Sequence, residues 1–206
     1  AGVDPDNGNP LWYMDEKDAN DKLTGKRVTT SDYASANYYY VNKSSLPKVY
    51  GGFNTSLSWK GFDLSAIFAY SIGGYIYNRD ITMILHNGSL EGRDWSTEIL
   101  KRWTPENRYT DVPALSTTSN NWNSASTRFL QNNSYMRLKN LTLSYDLPKQ
   151  WISKLALSSV QVFVQGDNLF TIHRNQGLDP EQGITGITYY RYPAMRTISG
   201  GINLSF

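Results

Sequence analysis

Two alternating runs of about ten residues, separated by two residues, constrain the fold of this chain more than any other feature. In "GGFNTSLSW" (51–59) large apolar residues alternate with small polar ones, and the alternation resumes after Gly61 in "FDLSAIFAYSI" (62–72). A period of two places successive side chains on opposite faces of a β-strand. Two such runs joined by two residues, the second of them Gly, predict a tight β-hairpin.

Three further runs have the same strand character, and each is long for a soluble sheet. Strands of about ten residues match the 9–11 residues that a tilted strand needs to cross a membrane. The connections alternate between short and long, as in outer-membrane barrels. The sequence therefore predicts an all-β fold, an antiparallel transmembrane β-barrel segment, with strands at about 50–59, 62–72, 134–147, 160–171 and 196–206.

The remaining segments are predicted to be loops. Residues 1–48 are rich in turn formers and charge and show no sustained period, so we expect them to be irregular. The long connections 73–133 and 172–195 are expected to face outside, and loops of such length are usually functional. Within the first of them, "SLEGRDWSTEILKRW" (89–103) predicts one short helix that ends at "TPEN".

Composition excludes several classes of function. The chain has no Cys, which excludes disulfides, thiolate metal sites and Cys nucleophiles. Its 20 basic and 18 acidic residues are interspersed, so no basic block predicts a nucleic-acid partner. His86 and His173 lie in separate loops, and no metal or other cofactor is predicted. Asp179 and Glu181 have the residue types of a glycosidase carboxylate pair, but in "GLDPEQG" they are better interpreted as turn residues. We therefore expect a protein that is not an enzyme.

Alternation alone leaves a second fold open. A secreted, soluble β-sandwich module that binds carbohydrate through its aromatic residues has the same period-2 pattern. The two folds differ in where the apolar faces lie, because a sandwich buries them in a core and a barrel exposes them to lipid. Aromatic residues near strand ends, such as Trp59 and Phe62, fit the interfacial girdles of a barrel.

Several motifs, kept in order along the chain, carry a resemblance to a known family. The chain resembles the C-terminal β-barrel region of the SusC/RagA family of TonB-dependent outer-membrane transporters. The motifs are "RWTPEN" (102–107), "SYMRLKNLTLSYDLP" (134–148), "GDNLFTI" (166–172), "GLDPE" (177–181) and "YPAMRTISGGINLSF" (192–206).

The resemblance implies a function that this chain performs only together with other parts. It implies a barrel of about twenty-two strands around a plug, in the outer membrane of a bacterium and in contact with its lipid. A SusD-like surface lipoprotein would form a lid, and TonB would energise the import of large nutrients, either oligosaccharides or peptides. Residues 1–206 are expected to form the C-terminal part of a single barrel domain, with the plug and the remaining strands absent from this sequence.

The chain also ends in a pattern that resembles the general outer-membrane assembly signal. That signal has a polar residue, a Gly and two hydrophobic residues, the last of them aromatic. Ser199, Gly201, Leu204 and Phe206 occupy these places. The resemblance implies that the barrel-insertion machinery reads the final strand.

Four aromatic residues in the two long loops are candidates for contact with substrate or with the lid. Aromatic faces on outside loops stack on sugar rings or on other apolar groups. The candidates are Trp95, Trp122, Tyr189 and Tyr190. Trp103 lies in "RWTPEN" and is better interpreted as an anchor of its own loop.

Overall fold

The computed structural model describes residues 1–88, 90–118, 120–153, 157–175, 177, 179–181, 185–188 and 190–206. The chain divides into two units. The first consists of Ala1–Asn42 and Asn78–Phe129, and the second consists of Lys43–Tyr77 and Leu130–Phe206. Each unit therefore joins two separate stretches of sequence.

The described elements are mostly strands. The strands are Gly2–Val3 (β1), Pro10–Lys17 (β2), Leu23–Thr30 (β3), Val49–Trp59 (β4), Phe62–Ile72 (β5), Tyr75–Tyr77 (β6), Leu130–Asn132 (β7), Tyr135–Asp146 (β8), Ser159–His173 (β9) and Thr197–Ser205 (β10). The helices are α1 (Arg79–Ile84) and α2 (Lys149–Ile152), with 3-10 turns at Tyr33–Ser35, Thr97–Lys101 and Thr127–Phe129. In the part of the chain that the structure describes, no helix is both long enough and apolar enough to cross a membrane.

A five-stranded antiparallel sheet in the order β10–β9–β8–β5–β4 dominates the second unit. All five predicted long strands are confirmed. The predicted hairpin is also confirmed, because β4 pairs with β5 from Val49↔Ile72 to Trp59↔Phe62. Lys60 and Gly61 both have positive φ, 48° and 88°, which is the backbone that a two-residue hairpin turn requires.

The prediction that residues 1–48 are irregular is wrong for three strands of the first unit. β2 and β3 form a hairpin, and β1 adds to it as a third strand. The Asp18 side chain organises the connection by accepting hydrogen bonds from the backbone amides of Asn20 and Lys22, at 2.9 and 3.0 Å. The charged residues of β2 made the period-2 alternation of this strand hard to recognise. The Asp- and Asn-rich turn between two strand-like runs nevertheless indicated a hairpin.

The predicted helix at 89–103 is also shorter than expected. Among the described residues of this stretch, 90–103, helical structure is confined to the 3-10 turn Thr97–Lys101. Gly92 has a φ of 68°, which does not continue a right-handed helix, and Ser96 caps the turn by accepting a hydrogen bond from the Glu98 amide. Helix α1 was not predicted. Asn78 is its N-cap, and the Asn78 side chain accepts a hydrogen bond from the Ile81 amide at 3.0 Å.

Each unit has its own small core. In the first unit the buried apolar residues are Leu85, Val112, Trp122 and Phe129. In the second unit they are Ala66, Ile76, Leu138, Ile152 and Val160.

Candidate functional site

The five-stranded sheet has one apolar face and one polar face, and the two faces suit different surroundings. Register places Leu57, Leu64 and Leu143 in one row, and Val164 continues the row on β9. Much of this face is exposed; its exposed members include Phe53, Leu57, Trp59, Phe62, Leu64, Leu143, Val162, Val164, Phe170, Ile198, Ile202 and Leu204. A contiguous exposed apolar surface of this kind marks an interaction with a membrane or another apolar partner.

Hydrogen-bonded side chains line the opposite face of the sheet. Asn140 donates from Nδ2 to Oδ1 of Asp167 at 2.8 Å, and its own Oδ1 accepts from Thr142 at 2.9 Å. Gln165 donates to both carboxylate oxygens of Asp167 at 3.2 Å. The Asn140–Asp167 hydrogen bond joins β8 to β9 in addition to their backbone bonds, and the other two contacts connect side chains along one strand.

A buried arginine on the polar face holds the loop after β9. Arg137 is only 4% exposed, and its guanidinium pairs with the carboxylates of Asp179, itself 7% exposed, and Glu181. Its Nε also donates to Thr171 at 2.8 Å. Lys139 adds a second cation beside Glu181 at 2.5 Å. Asp179 and Glu181 are therefore the partners of two cations, which explains them without a catalytic role.

The charge state of Asp179 is set by this cluster. Burial by itself would raise its pKa, but the hydrogen bond from Arg137 and those from the backbone amides of Ala194 and Glu181 outweigh it. The pKa of Asp179 is therefore lowered from its ordinary value. The carboxylate stays ionised and keeps the loop tied to the strand.

Beside this cluster lies a pocket of about 310 Å³. Four tyrosines line it, Tyr50, Tyr70, Tyr75 and Tyr135, together with Ser45, Pro47, Gly51, Ala69, Ser71, Ile76, Asn133, Pro180 and Gly186. The pocket lies where β4, β5 and β8 meet the long connections. Its volume is at the lower end of the range for small-molecule sites.

The two candidate tryptophans lie in the first unit. Trp122 is 6% exposed, and the Arg128 guanidinium lies 3.6 Å from the centre of its ring. Burial lowers the pKa of Arg128, against the opposing effect of Glu98 and Asp111. Trp122 is therefore packed within its own unit, and its predicted contact with substrate or lid stays a prediction. Trp95 is partly exposed and contacts His86 edge-on, with ring centroids 5.0 Å apart.

The two candidate tyrosines belong to the connection before β10. Tyr190 is 72% exposed and has a positive φ of 38°. Tyr189 lies outside the described residues. The exposure of Tyr190 is compatible with the predicted contact with substrate or lid, which stays a prediction.

Other sequence-level candidates have structural explanations. The Trp103 indole donates to the Pro5 carbonyl at 3.0 Å, so Trp103 anchors its loop. In the described part of the chain, no three His, Asp or Glu side chains are grouped so as to hold a metal ion. His86 is fully buried in the first unit. His173 contacts the Asn175 carbonyl through Nδ1 at 2.8 Å.

The residues of the predicted assembly signal lie on and beyond β10. Ser199 and Gly201 are on the polar face, whereas Leu204 is on the apolar face opposite Val160. Phe206 follows the strand and is 93% exposed. The Phe163 ring covers Gly201 so closely that a Cβ there would lie 2.8 Å from Cζ of Phe163.

Sequence reasoning missed the residues that the structure brings together at the pocket and the ion cluster. Arg137 stands in "SYMRLKN" and is the one arginine of β8, whose other charged residues are Lys139 and Asp146. In the sequence, a single arginine on the polar face of a strand was a signal for a buried ion pair. Its carboxylate partners, more than 40 residues later in sequence, could not be assigned from spacing.

The chain is similar to proteins named as receptors and importers. TonB-dependent receptor P3 of Formosa agariphila is 33% identical over 166 residues, which is 75% of this chain and 16% of the relative. TonB-dependent receptor SusC of Bacteroides thetaiotaomicron is 27% identical over 168 residues, 81% of this chain and 16% of the relative. No family model matches the sequence.

Solved structures of similar transporters also align with this chain. The RagAB peptide importer in its closed-closed state aligns with all of this chain and 22% of its own, at 35% identity and a TM-score of 0.83. A second structure, of the RagAB peptide transporter, aligns at 36% identity and a TM-score of 0.84. The chain spans about a sixth (16%) of the length of the two curated relatives named above.

Proposed function

We propose that this chain, which belongs to the SusC/RagA family of TonB-dependent receptors, forms part of the wall of an outer-membrane importer for large nutrients. The observation that carries the proposal is the exposed apolar face of the five-stranded sheet. A soluble sandwich would bury that face against a second sheet. In a barrel, lipid covers it and the polar face lines the interior.

The whole importer needs parts beyond these residues. We propose that residues 1–206 are the C-terminal part of one barrel domain and that the plug and other strands lie outside this sequence. A SusD-like lipoprotein would close the outer mouth, and TonB would act through the missing part. Similarity to the RagAB peptide importer and to the receptor SusC supports the lid. Oligosaccharides or peptides are the proposed cargo, carried without covalent chemistry and without a cofactor.

Uptake by cells that express the full-length protein tests this function. We expect labelled peptides or oligosaccharides too large for general porins to enter these cells. Deletion of the importer gene, or of TonB, is expected to abolish entry. Entry that is unchanged in both deletion strains would contradict the proposal.

The final strand is proposed to serve as the assembly signal, through Ser199, Gly201, Leu204 and Phe206. The exposed position of Phe206 beyond β10 supports this role. Gly201 has a second explanation, because the Phe163 ring occupies the space of a side chain there. An experiment can distinguish recognition of Gly201 by the insertion machinery from its close packing against Phe163.

Replacement of Gly201 by Ala is expected to lower the amount of full-length protein assembled in the outer membrane. An added Cβ would lie 2.8 Å from Cζ of Phe163, so the half-buried ring must move aside, at a cost toward the lower end of the about 1–3 kcal/mol of overpacking. Gly200→Ala is the matched control and is expected to be milder, since its Cβ would meet a backbone oxygen at 3.3 Å. Membrane levels are measured by immunoblot.

A double variant decides between the two explanations. If Phe163 is the reason for the glycine, Gly201→Ala should cost less in a Phe163→Ala background than in the native one. A loss of equal size in both backgrounds would instead assign Gly201 to recognition by the insertion machinery.

A further inference from the structure

The connection between β9 and β10 carries a short exposed arch, residues 190–193, whose flanking residues are fixed to the second unit. Before the arch, the Thr188 amide donates to the Tyr77 carbonyl at 3.2 Å, and Thr188 is only 1% exposed. After the arch, the Ala194 amide donates to Oδ2 of Asp179 at 2.7 Å. The backbone of the arch is therefore held on both sides.

The anchor after the arch is joined to the buried ion cluster. The Asp179 carboxylate that accepts from Ala194 also pairs with Arg137 of β8. Asn168 of β9 adds a hydrogen bond from its Nδ2 to the Met195 carbonyl at 3.2 Å. Because these contacts restrain the arch before any partner arrives, binding costs less conformational entropy than it would for a loop that had to be ordered.

Three large side chains stand out from the arch. Tyr190 and Tyr192 are 72% and 90% exposed, and Arg191 between them is exposed as well. Among the residues that the structure describes, no carboxylate forms an ion pair with Arg191. Tyrosine and arginine are enriched among the residues that contribute most to the affinity of protein interfaces. The arch therefore has the composition of a protein-binding surface.

The exposure of these side chains favours a protein partner over a small molecule. Sites for small molecules are concave and enclose most of the ligand, whereas the side chains of the arch protrude into solvent. The positive charge of Arg191 also defines the chemistry of the partner. A carboxylate would form a charge-assisted hydrogen bond with the guanidinium, and apolar groups beside that carboxylate would cover the two tyrosine rings.

We propose that the arch docks the SusD-like lipoprotein, through an acidic residue of the lid that pairs with Arg191 between Tyr190 and Tyr192. The inference rests on the proposed import function, which includes a lid, and it assigns that lid a contact on this chain. In a barrel the long connections face outside, where a surface lipoprotein reaches the arch. Because salt screens an exposed ion pair, the contact weakens as the ionic strength rises.

The test measures the affinity of the full-length importer, purified in detergent, for its purified SusD-like lipoprotein by biolayer interferometry. Arg191→Glu is expected to weaken binding about tenfold at low salt, and by a smaller factor at high salt, where the charges are screened. Lys149→Glu is the matched control. Lys149 is an exposed cation of the same unit at the other end of β9, and its reversal changes the net charge equally.

A second pair of variants tests the tyrosine ring. Tyr192→Ala is expected to weaken lid binding about tenfold, because the ring that the lid covers is lost. Tyr192→Phe keeps the ring and should keep most of the affinity. Outer-membrane levels of every variant are compared with those of the native importer by immunoblot.

The outcomes separate this inference from the function on which it rests. Equal effects of Arg191→Glu and Lys149→Glu on lid affinity overturn the inference and leave import intact. Variants of the arch that change nutrient uptake at unchanged lid affinity would make the arch a cargo contact, and the inference would be wrong. Lowered membrane levels of these variants would instead show that the arch packs against the rest of the importer, which also overturns it. If the native importer takes up nutrients without binding the lipoprotein, the inference and the lid fail while import stands.

Discussion

Replacing Arg137 with Met in the full-length protein is expected to lower its free energy of unfolding by about 3–5 kcal/mol, the typical cost of removing one partner from a buried ion pair. The reason is that Asp179 would keep its charge in a nearly buried position, with Glu181 as a second anion close by. The loop after β9 should detach from the strand. Urea unfolding in detergent, followed by tryptophan fluorescence, measures the change.

A charge-free variant is the control for this prediction. Arg137→Met combined with Asp179→Asn and Glu181→Gln removes the unpaired anions, and buried ion pairs replaced as a set are often nearly neutral. The triple variant should therefore recover most of the loss. A single variant that costs less than about 1 kcal/mol, or a triple variant no better than the single one, would contradict the assigned role.

The same cluster predicts the effect of acid. Because the folded-state pKa of Asp179 is lowered, its stabilisation is fully present above the unfolded value of about 3.9. It is lost as the pH falls through the lowered folded-state pKa. The native protein should lose this contribution in strong acid, whereas the triple variant, which has no Asp179 carboxylate, should not.

Replacing Leu57 with Arg is expected to destabilise the full-length protein by about 1–3 kcal/mol, because the cost of Arg on the lipid face falls from the bilayer midplane toward the interface and Leu57 lies two residues before Trp59 at the end of β4. Leu57 is exposed on the apolar face and lies in one row with Leu64 and Leu143. Lipid offers no partner for the guanidinium. Reversible unfolding in lipid vesicles gives the free energy.

The neighbouring residue is a control with the same added charge. Ser56 is exposed on the opposite, polar face of β4, so Ser56→Arg should cost less than about 1 kcal/mol. If Ser56→Arg proved the more costly of the two, the faces would be assigned the wrong way round.

The strands and the family could be predicted from sequence because their signals are local. A period of two needs only neighbouring residues, and the five predicted strands agree with β4, β5, β8, β9 and β10. The confirmed resemblance likewise rested on short motifs kept in order. Local signals did not predict β2, because its charged residues obscure the alternation. They also predicted too long a helix around Gly92, whose positive φ interrupts the helical pattern.

The sequence by itself determined which residues alternate, and hence the hairpin at Lys60–Gly61 and the two faces of each strand. Only the tertiary structure decided which distant residues meet. Arg137 and Asp179 are 42 positions apart and share a hydrogen bond, and the pocket joins Tyr50 to Tyr135. The physical reason is that strand alternation depends on backbone geometry at each residue, whereas an ion pair or a pocket depends on how strands and connections pack together.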